Sequence, residues 1–182
     1  GEARLVLAAE PSVWEAYLLL GNVFKDNSSQ DKAIELYKKV LTLYPKSSDA
    51  LNNLALIYKT QGKDKEAEDF FKKALQLDPE SPLVLKNLAY FLIKDKLYAR
   101  AISNYKKILE LDPQDIEAHI MLGIIFAETG HPKEAEGYFK KALRLNPDSF
   151  DALKNLGALY ANTASLDKAI SVWEKARALN PS

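Results

Sequence analysis

The chain of 182 residues contains no cysteine, which excludes disulfide frameworks and thiolate metal sites. It has no excess of either charge, with 25 Lys and Arg against 25 Asp and Glu. A nucleic-acid partner calls for a basic excess that neutralises phosphates, so no nucleic acid is expected. No apolar run approaches the roughly 18 residues of a membrane span, so no direct membrane insertion is expected. The opening "GEARLVLAAEP" lacks the basic start and long apolar core of a signal peptide. It also lacks an initiating Met and begins abruptly, and we expect a portion of something longer. Localisation is left unassigned by these features.

Chemical signatures are missing too. There is no G-x-G-x-x-G, no phosphate-cradling loop, no nucleophile elbow and no calcium loop. No catalysis, no cofactor and no metal are expected. The two histidines stand 12 residues apart without partners at ligand spacing. His119 occupies a packing column, which predicts a core or interface role. His131 precedes Pro132 at a helix start, which predicts a capping or solvated role. Asn27-Ser28-Ser29 is a glycosylation sequon, a common triplet that carries no weight outside a secretory context.

What is there is a period. "KKVLTLYPKS", "KKALQLDPES", "KKILELDPQD" and "KKALRLNPDS" are four versions of one decamer. Six of the eight prolines (Pro11, Pro45, Pro79, Pro113, Pro147 and Pro181) fall at a constant spacing of 34 residues. A small residue keeps the same step as Gly21, Ala55, Ala89, Gly123 and Gly157. Alanine keeps it as Ala33, Ala67, Ala101, Ala135 and Ala169. An aromatic keeps it as Tyr37, Phe71, Tyr105, Phe139 and Trp173. Each unit carries apolar residues at three- and four-residue spacing in two runs, the pattern of two amphipathic helices. The ladder proline ends the second helix. Ser47 or Ser48, Ser81, Asp115 and Ser149 then cap the next one. Gly62 and Gly130 fit the turn inside a pair, where Ser28, Lys96 and Ala164 stand elsewhere. Small residues let neighbouring backbones approach, and aromatics fill the space between helices. No unit buries its apolar face alone, so stacking makes the core continuous.

This 34-residue unit is similar to the tetratricopeptide repeat, and the similarity covers nearly the whole chain. It implies an all-α, right-handed superhelical solenoid of antiparallel helix pairs. Five full repeats run 14–47, 48–81, 82–115, 116–149 and 150–182. On the same resemblance residues 1–13 are expected to be the remnant second helix and turn of a preceding repeat. Val40 and Ile108 depart from the late alanine of Ala74, Ala142 and Ala176. His119 departs from Tyr17, Leu51, Leu85 and Leu153.

The resemblance also implies a concave groove, lined by the first helix of each repeat, in which a protein or peptide partner lies. Carried onto this chain, the groove includes Asn22, Asn52, Asn53, Leu56, Leu83, Asn87, Tyr90, Ile120, Met121, Ile124 and Asn155. Asn53, Asn87 and Asn155 recur once per unit, with Leu19 and Met121 breaking the series. Amides offer donors and an acceptor, so such a ladder suits the backbone of an extended peptide. It is similar to the asparagine ladder in the repeat region of O-linked N-acetylglucosamine transferases. Tyr90, Ile93, Ile120, Met121 and Ile124 form an apolar patch, joined by Leu56 and Leu83. The expectation is a docking site for an apolar segment or amphipathic helix. Burial by a bent solenoid or by the adjacent repeat is the alternative.

Three further expectations concern charge, known subfunctions and the ends. The lysine pairs Lys38/Lys39, Lys72/Lys73, Lys106/Lys107 and Lys140/Lys141 are expected on a solvated face, with Glu35–Lys39, Asp69–Lys73 and Glu136–Lys140 as helical pairs. The family's clamp for acidic chaperone C-termini needs paired cations along the groove. No register of this chain supplies them, so that mode is not expected. The last helix carries Ala169, Ile170, Trp173, Ala176 and Leu179 without a polar cap, which predicts an exposed end or self-association. The function expected is a non-catalytic scaffold for protein–protein interaction. The alternatives are a substrate-recruiting repeat region of a larger enzyme, such as an O-linked glycosyltransferase, and an assembly subunit that uses its ends or convex face.

Overall fold

A computed structural model describes residues 12–26 and 29–179. The segment expected to be a remnant helix, with Pro11, the sequon with Ser28, and Pro181 lie wholly or partly outside the described residues. Ten helices and no strand occur among the described residues. They are α1 (Val13–Asp26), α2 (Gln30–Leu43), α3 (Ser48–Thr60), α4 (Asp64–Leu77), α5 (Pro82–Lys94), α6 (Tyr98–Leu111), α7 (Ile116–Glu128), α8 (Pro132–Leu145), α9 (Phe150–Asn162) and α10 (Leu166–Leu179). The chain divides into two compact units, residues 1–87 and 88–182.

Local chemistry sets every boundary. Tyr44, Asp78, Asp112 and Asn146 stand before the ladder prolines with extended ψ values of 84–97°. The clash with the following proline ring disfavours helical ψ at that position, so the helix stops. Each still donates its N–H to the last turn, as Tyr44 does to Val40 at 2.7 Å. Ser47, Asp115 and Ser149 then accept from the N–H three residues on, at 3.2, 2.8 and 3.4 Å. Such caps satisfy a helix-terminal donor and contribute about 1 kcal/mol each. Inside each pair the turn closes with a bond spanning five residues: Lys63 N–H to Tyr58 O, Leu97 to Leu92, His131 to Phe126 and Ser165 to Tyr160, at 2.8–2.9 Å. That closure needs one left-handed residue. Gly62 (φ 71°) and Gly130 (φ 77°) supply it freely, whereas Lys96 (φ 57°) and Ala164 (φ 55°) adopt it with a side chain.

In the first unit α1 and α2 are antiparallel: Trp14, at the start of α1, stacks on Tyr44 just past the end of α2 at 4.7 Å. Its core gathers Ala33, Tyr37 and Val40 from α2 with Ala50, Leu54 and Ile57 from α3. Trp14, Tyr17, Phe24, Tyr58 and Phe70 pack around them. In the second unit the core gathers Ala135 and Phe139 of α8, Leu156, Leu159 and Tyr160 of α9, and Ala169 of α10. Both cores use the small-against-aromatic pairing read from the sequence. A Cβ at Gly21 would stand 2.7 Å from Tyr37 Cε1, and one at Gly123 would stand 2.5 Å from Phe139 Cε1. Burying rings of this size contributes about 2 kcal/mol each.

Candidate functional site

The first-helix residues of the first unit form a polar cluster. Asn22 Oδ1 accepts from Tyr37 Oη at 2.8 Å and from Asn53 Nδ2 at 3.0 Å. Asn53 Oδ1 in turn accepts from Lys25 Nζ at 3.3 Å. Asn87 Nδ2 donates to Asn52 Oδ1 at 2.9 Å. Burial pushes the Tyr37 phenol well above its ordinary range, with the Asp26 carboxylate acting in the same direction. Tyr37 therefore stays a neutral donor to Asn22. The amides are thus bonded to one another and to α2. Asn52 and Asn53 are buried, while Asn22, Asn87 and Leu56 are half-buried. Lys25 and Tyr37 were not among the groove residues read from the sequence. Both lie outside the asparagine columns, and only the folded chain brings them to those amides.

In the second unit Tyr90 is 51% exposed on α5, with Lys94 Nζ 5.4 Å from its ring centre. Met121, Ile120, Ile124 and Ile93 are half-buried. Ile120 and Ile124 pack against the Phe139–Leu156 core, so part of their apolar surface is spent within the fold. Met121 lies outside that packing cluster. Asn155 Nδ2 donates to the Asp151 carbonyl of its own helix at 2.8 Å, unlike the cross-helix amides of the first unit. Tyr105 lies buried within this unit. Its phenol is held above its ordinary range first by burial and then by Glu117, Asp115 and Tyr90.

The lysine pairs are exposed as expected, except Lys107, which is half-buried. Of the three expected helical pairs one forms and two do not. Glu136–Lys140 forms at 2.6 Å, and Tyr160 Oη donates to the same carboxylate oxygen at 2.8 Å, which ties α8 to α9. Lys39 and Lys73 turn away from Glu35 and Asp69 and lie over the rings of Tyr17 and Phe70 at 5.4 Å. Lys39 thus reaches the neighbouring helix α1, whereas Lys73 lies over a ring of its own helix; an ammonium gains at least as much over an aromatic face as from an exposed carboxylate screened by water. Lys72 pairs with Glu68 at 2.8 Å. His119 is buried, as its column implies. His131 is exposed, and its side chain makes no capping bond; Nδ1 lies 3.1 Å from Thr129 Oγ1. Among the described residues, no group of three or more His, Asp or Glu is placed to hold a metal ion. No helix among them is long and apolar enough to cross a membrane.

The family profile described as the tetratricopeptide repeat protein 21 C-terminal ARM domain matches residues 7–117. Two profiles described as tetratricopeptide repeats match residues 116–149 and 138–171. Among solved structures, MamA is 23% identical over 92% of each chain with a TM-score of 0.78. PilF of Pseudomonas aeruginosa is 25% identical over 92% of this chain and 76% of its own, with a TM-score of 0.81. YrrB, described as a TPR protein with an unusual peptide-binding site, is 27% identical over 91% of this chain and 86% of its own, with a TM-score of 0.73. A comparison with curated proteins gives no match.

Proposed function

Because the chain belongs to the tetratricopeptide repeat family, we propose that it is a non-catalytic scaffold whose first helices hold a segment of a protein partner. One observation carries the reading: Tyr90 keeps half of its surface exposed on a first helix. Half-buried Met121 stands on another first helix of the same unit. Aromatic and methionine side chains are favoured where one apolar surface meets another. The partner segment this suits is apolar or amphipathic, gripped by side chains in the second unit. In the first unit the Asn22–Asn53 cluster presents amides that are already oriented by Tyr37 and Lys25. Pre-orientation lowers the entropy lost when a peptide backbone binds. The peptide-binding description of YrrB supports a peptide ligand for such an array.

Peptides selected against the chain from a random display library test this reading. Tyr90→Ala and Met121→Glu should each weaken the selected peptides by about tenfold, a loss of about 1.4 kcal/mol. Their helical circular dichroism should stay unchanged. Full affinity in both variants would sink the proposal.

A second reading, assembly, is favoured by the outward face of α10. Leu166, Ile170 and Trp173 are 63, 54 and 42% exposed there. A further repeat, a cap or another protein would cover this face. Ile170→Lys together with Trp173→Glu should abolish any concentration-dependent association in sedimentation, and unchanged association would exclude this face.

A further inference from the structure

In the second unit a cleft of about 590 Å³ opens between α6 and α8, away from the first-helix residues Tyr90 and Met121. Its apolar lining is Leu109, Pro113 and Leu145, with the rings of His119 and Tyr138. Lys106, Lys141, Arg144 and one acid, Glu110, complete it. In a chain of zero net charge this is a local excess of two positive charges. Among the described residues neither Lys106 nor Arg144 has an ion-pair partner, and Lys141 lies 5.3 Å from the centre of the Tyr138 ring.

The repeat supplies its own control. The corresponding cleft of the first unit, between α2 and α4, is about 300 Å³ and is lined by Leu41, Pro45, Leu51, Lys73, Gln76 and Leu77. Two positions differ most: His119 stands where that cleft has Leu51, and Arg144 where it has Gln76. A helix pair therefore packs without them. His119 is also costly. Its Nε2 donates to the Pro113 carbonyl at 3.0 Å, but its buried Nδ1 has no partner among the described residues. An unpaired buried polar atom destabilises, whereas leucine at the same place would not. Packing alone does not account for the exchange, and both changes enlarge or charge the same cleft.

We propose that this cleft is a second binding site, which takes a short acidic segment of a partner protein anchored by one large apolar side chain. Its volume lies within the range of pockets that enclose a ligand, and it has room for such a side chain. The anchor would lie among Leu109, Leu145 and the two rings, and the flanking carboxylates would meet Lys106, Lys141 and Arg144. Glu110, the one acid of the lining, is outnumbered by the three cations.

The probe is an acetylated, amidated peptide of sequence Asp-Glu-Phe-Glu-Asp, titrated into the purified chain and followed by amide chemical shifts. The expected shifts centre on residues 106–119 and 138–145. Lys106→Glu with Arg144→Glu should weaken binding by about tenfold or more, as should raising salt from about 50 to about 300 mM. His119→Leu, which restores the leucine of the other cleft and removes the unpaired Nδ1 at the loss of one bond to the Pro113 carbonyl, should weaken it with the fold intact. Replacing the peptide's Phe with Ala should do the same. Tyr90→Ala and Met121→Glu should leave it unchanged, so failure here and failure of the first-helix surface are told apart. Shifts mapping elsewhere, affinity unaffected by the double reversal, or equal binding by free phenylpropionate would each overturn the proposal.

Discussion

Gly123 lies beneath the ring of Phe139, so any side chain there must displace that ring. Gly123→Leu should lower the unfolding free energy by about 1–3 kcal/mol through overpacking, read from a urea titration. Lys96 and Ala164 give the opposite case. Each holds a left-handed turn conformation that glycine adopts without steric cost. Lys96→Gly should therefore stabilise the chain by up to about 1 kcal/mol, seen as a higher denaturation midpoint with an unchanged slope. Glu136 adds a pH dependence. Hydrogen bonds from Lys140, first, and then Tyr160 hold its carboxyl below the ordinary glutamate range. Its contribution is present above the unfolded-state value, about 4.3, and is lost as the pH falls through the lower folded-state value. Wild type should thus exceed Glu136→Gln in stability at pH 7. The difference should shrink when the same titration is repeated near pH 3.

Helices are the scale at which reading from sequence succeeded most fully. Proline, cap and turn residues act within a few positions of themselves, so spacing alone predicts where a helix starts and stops. Ser47, Asp115 and Ser149 all cap as expected, and Gly62 and Gly130 both take positive φ. Long side chains were less legible. Lys39 has both Glu35 and the Tyr17 ring within its reach by sequence, and only the packing of α1 against α2 decides between them. The asparagine columns show the same limit. Their spacing places them on first helices, yet Asn53 bonds to Asn22 and Lys25 across α1, while Asn155 turns back to Asp151 on its own helix. Asn22→Ala should consequently disturb more than a surface amide would. It leaves Tyr37 Oη and one Asn53 N–H without their acceptor, at a cost of about 1–3 kcal/mol in thermal or urea unfolding.

Across the whole molecule, stacked repeats distribute stability among neighbouring pairs rather than concentrating it at one centre. Amide exchange should therefore be slowest where both faces of a pair are covered, on α3 and α8, and faster along α10, whose Leu166 and Ile170 are more than half exposed. Uniform protection along all helices would contradict this.

The sequence by itself determined the period, the order of helices and the small-against-aromatic core, because those follow from interactions that repeat at fixed spacing. It also marked His119 as a break in a leucine column. Tertiary structure alone decided which polar groups the fold had already paired, and how large the cleft beside His119 became. Both depend on how side chains from separate helices meet, and a distance between helices is not written in the spacing along one of them.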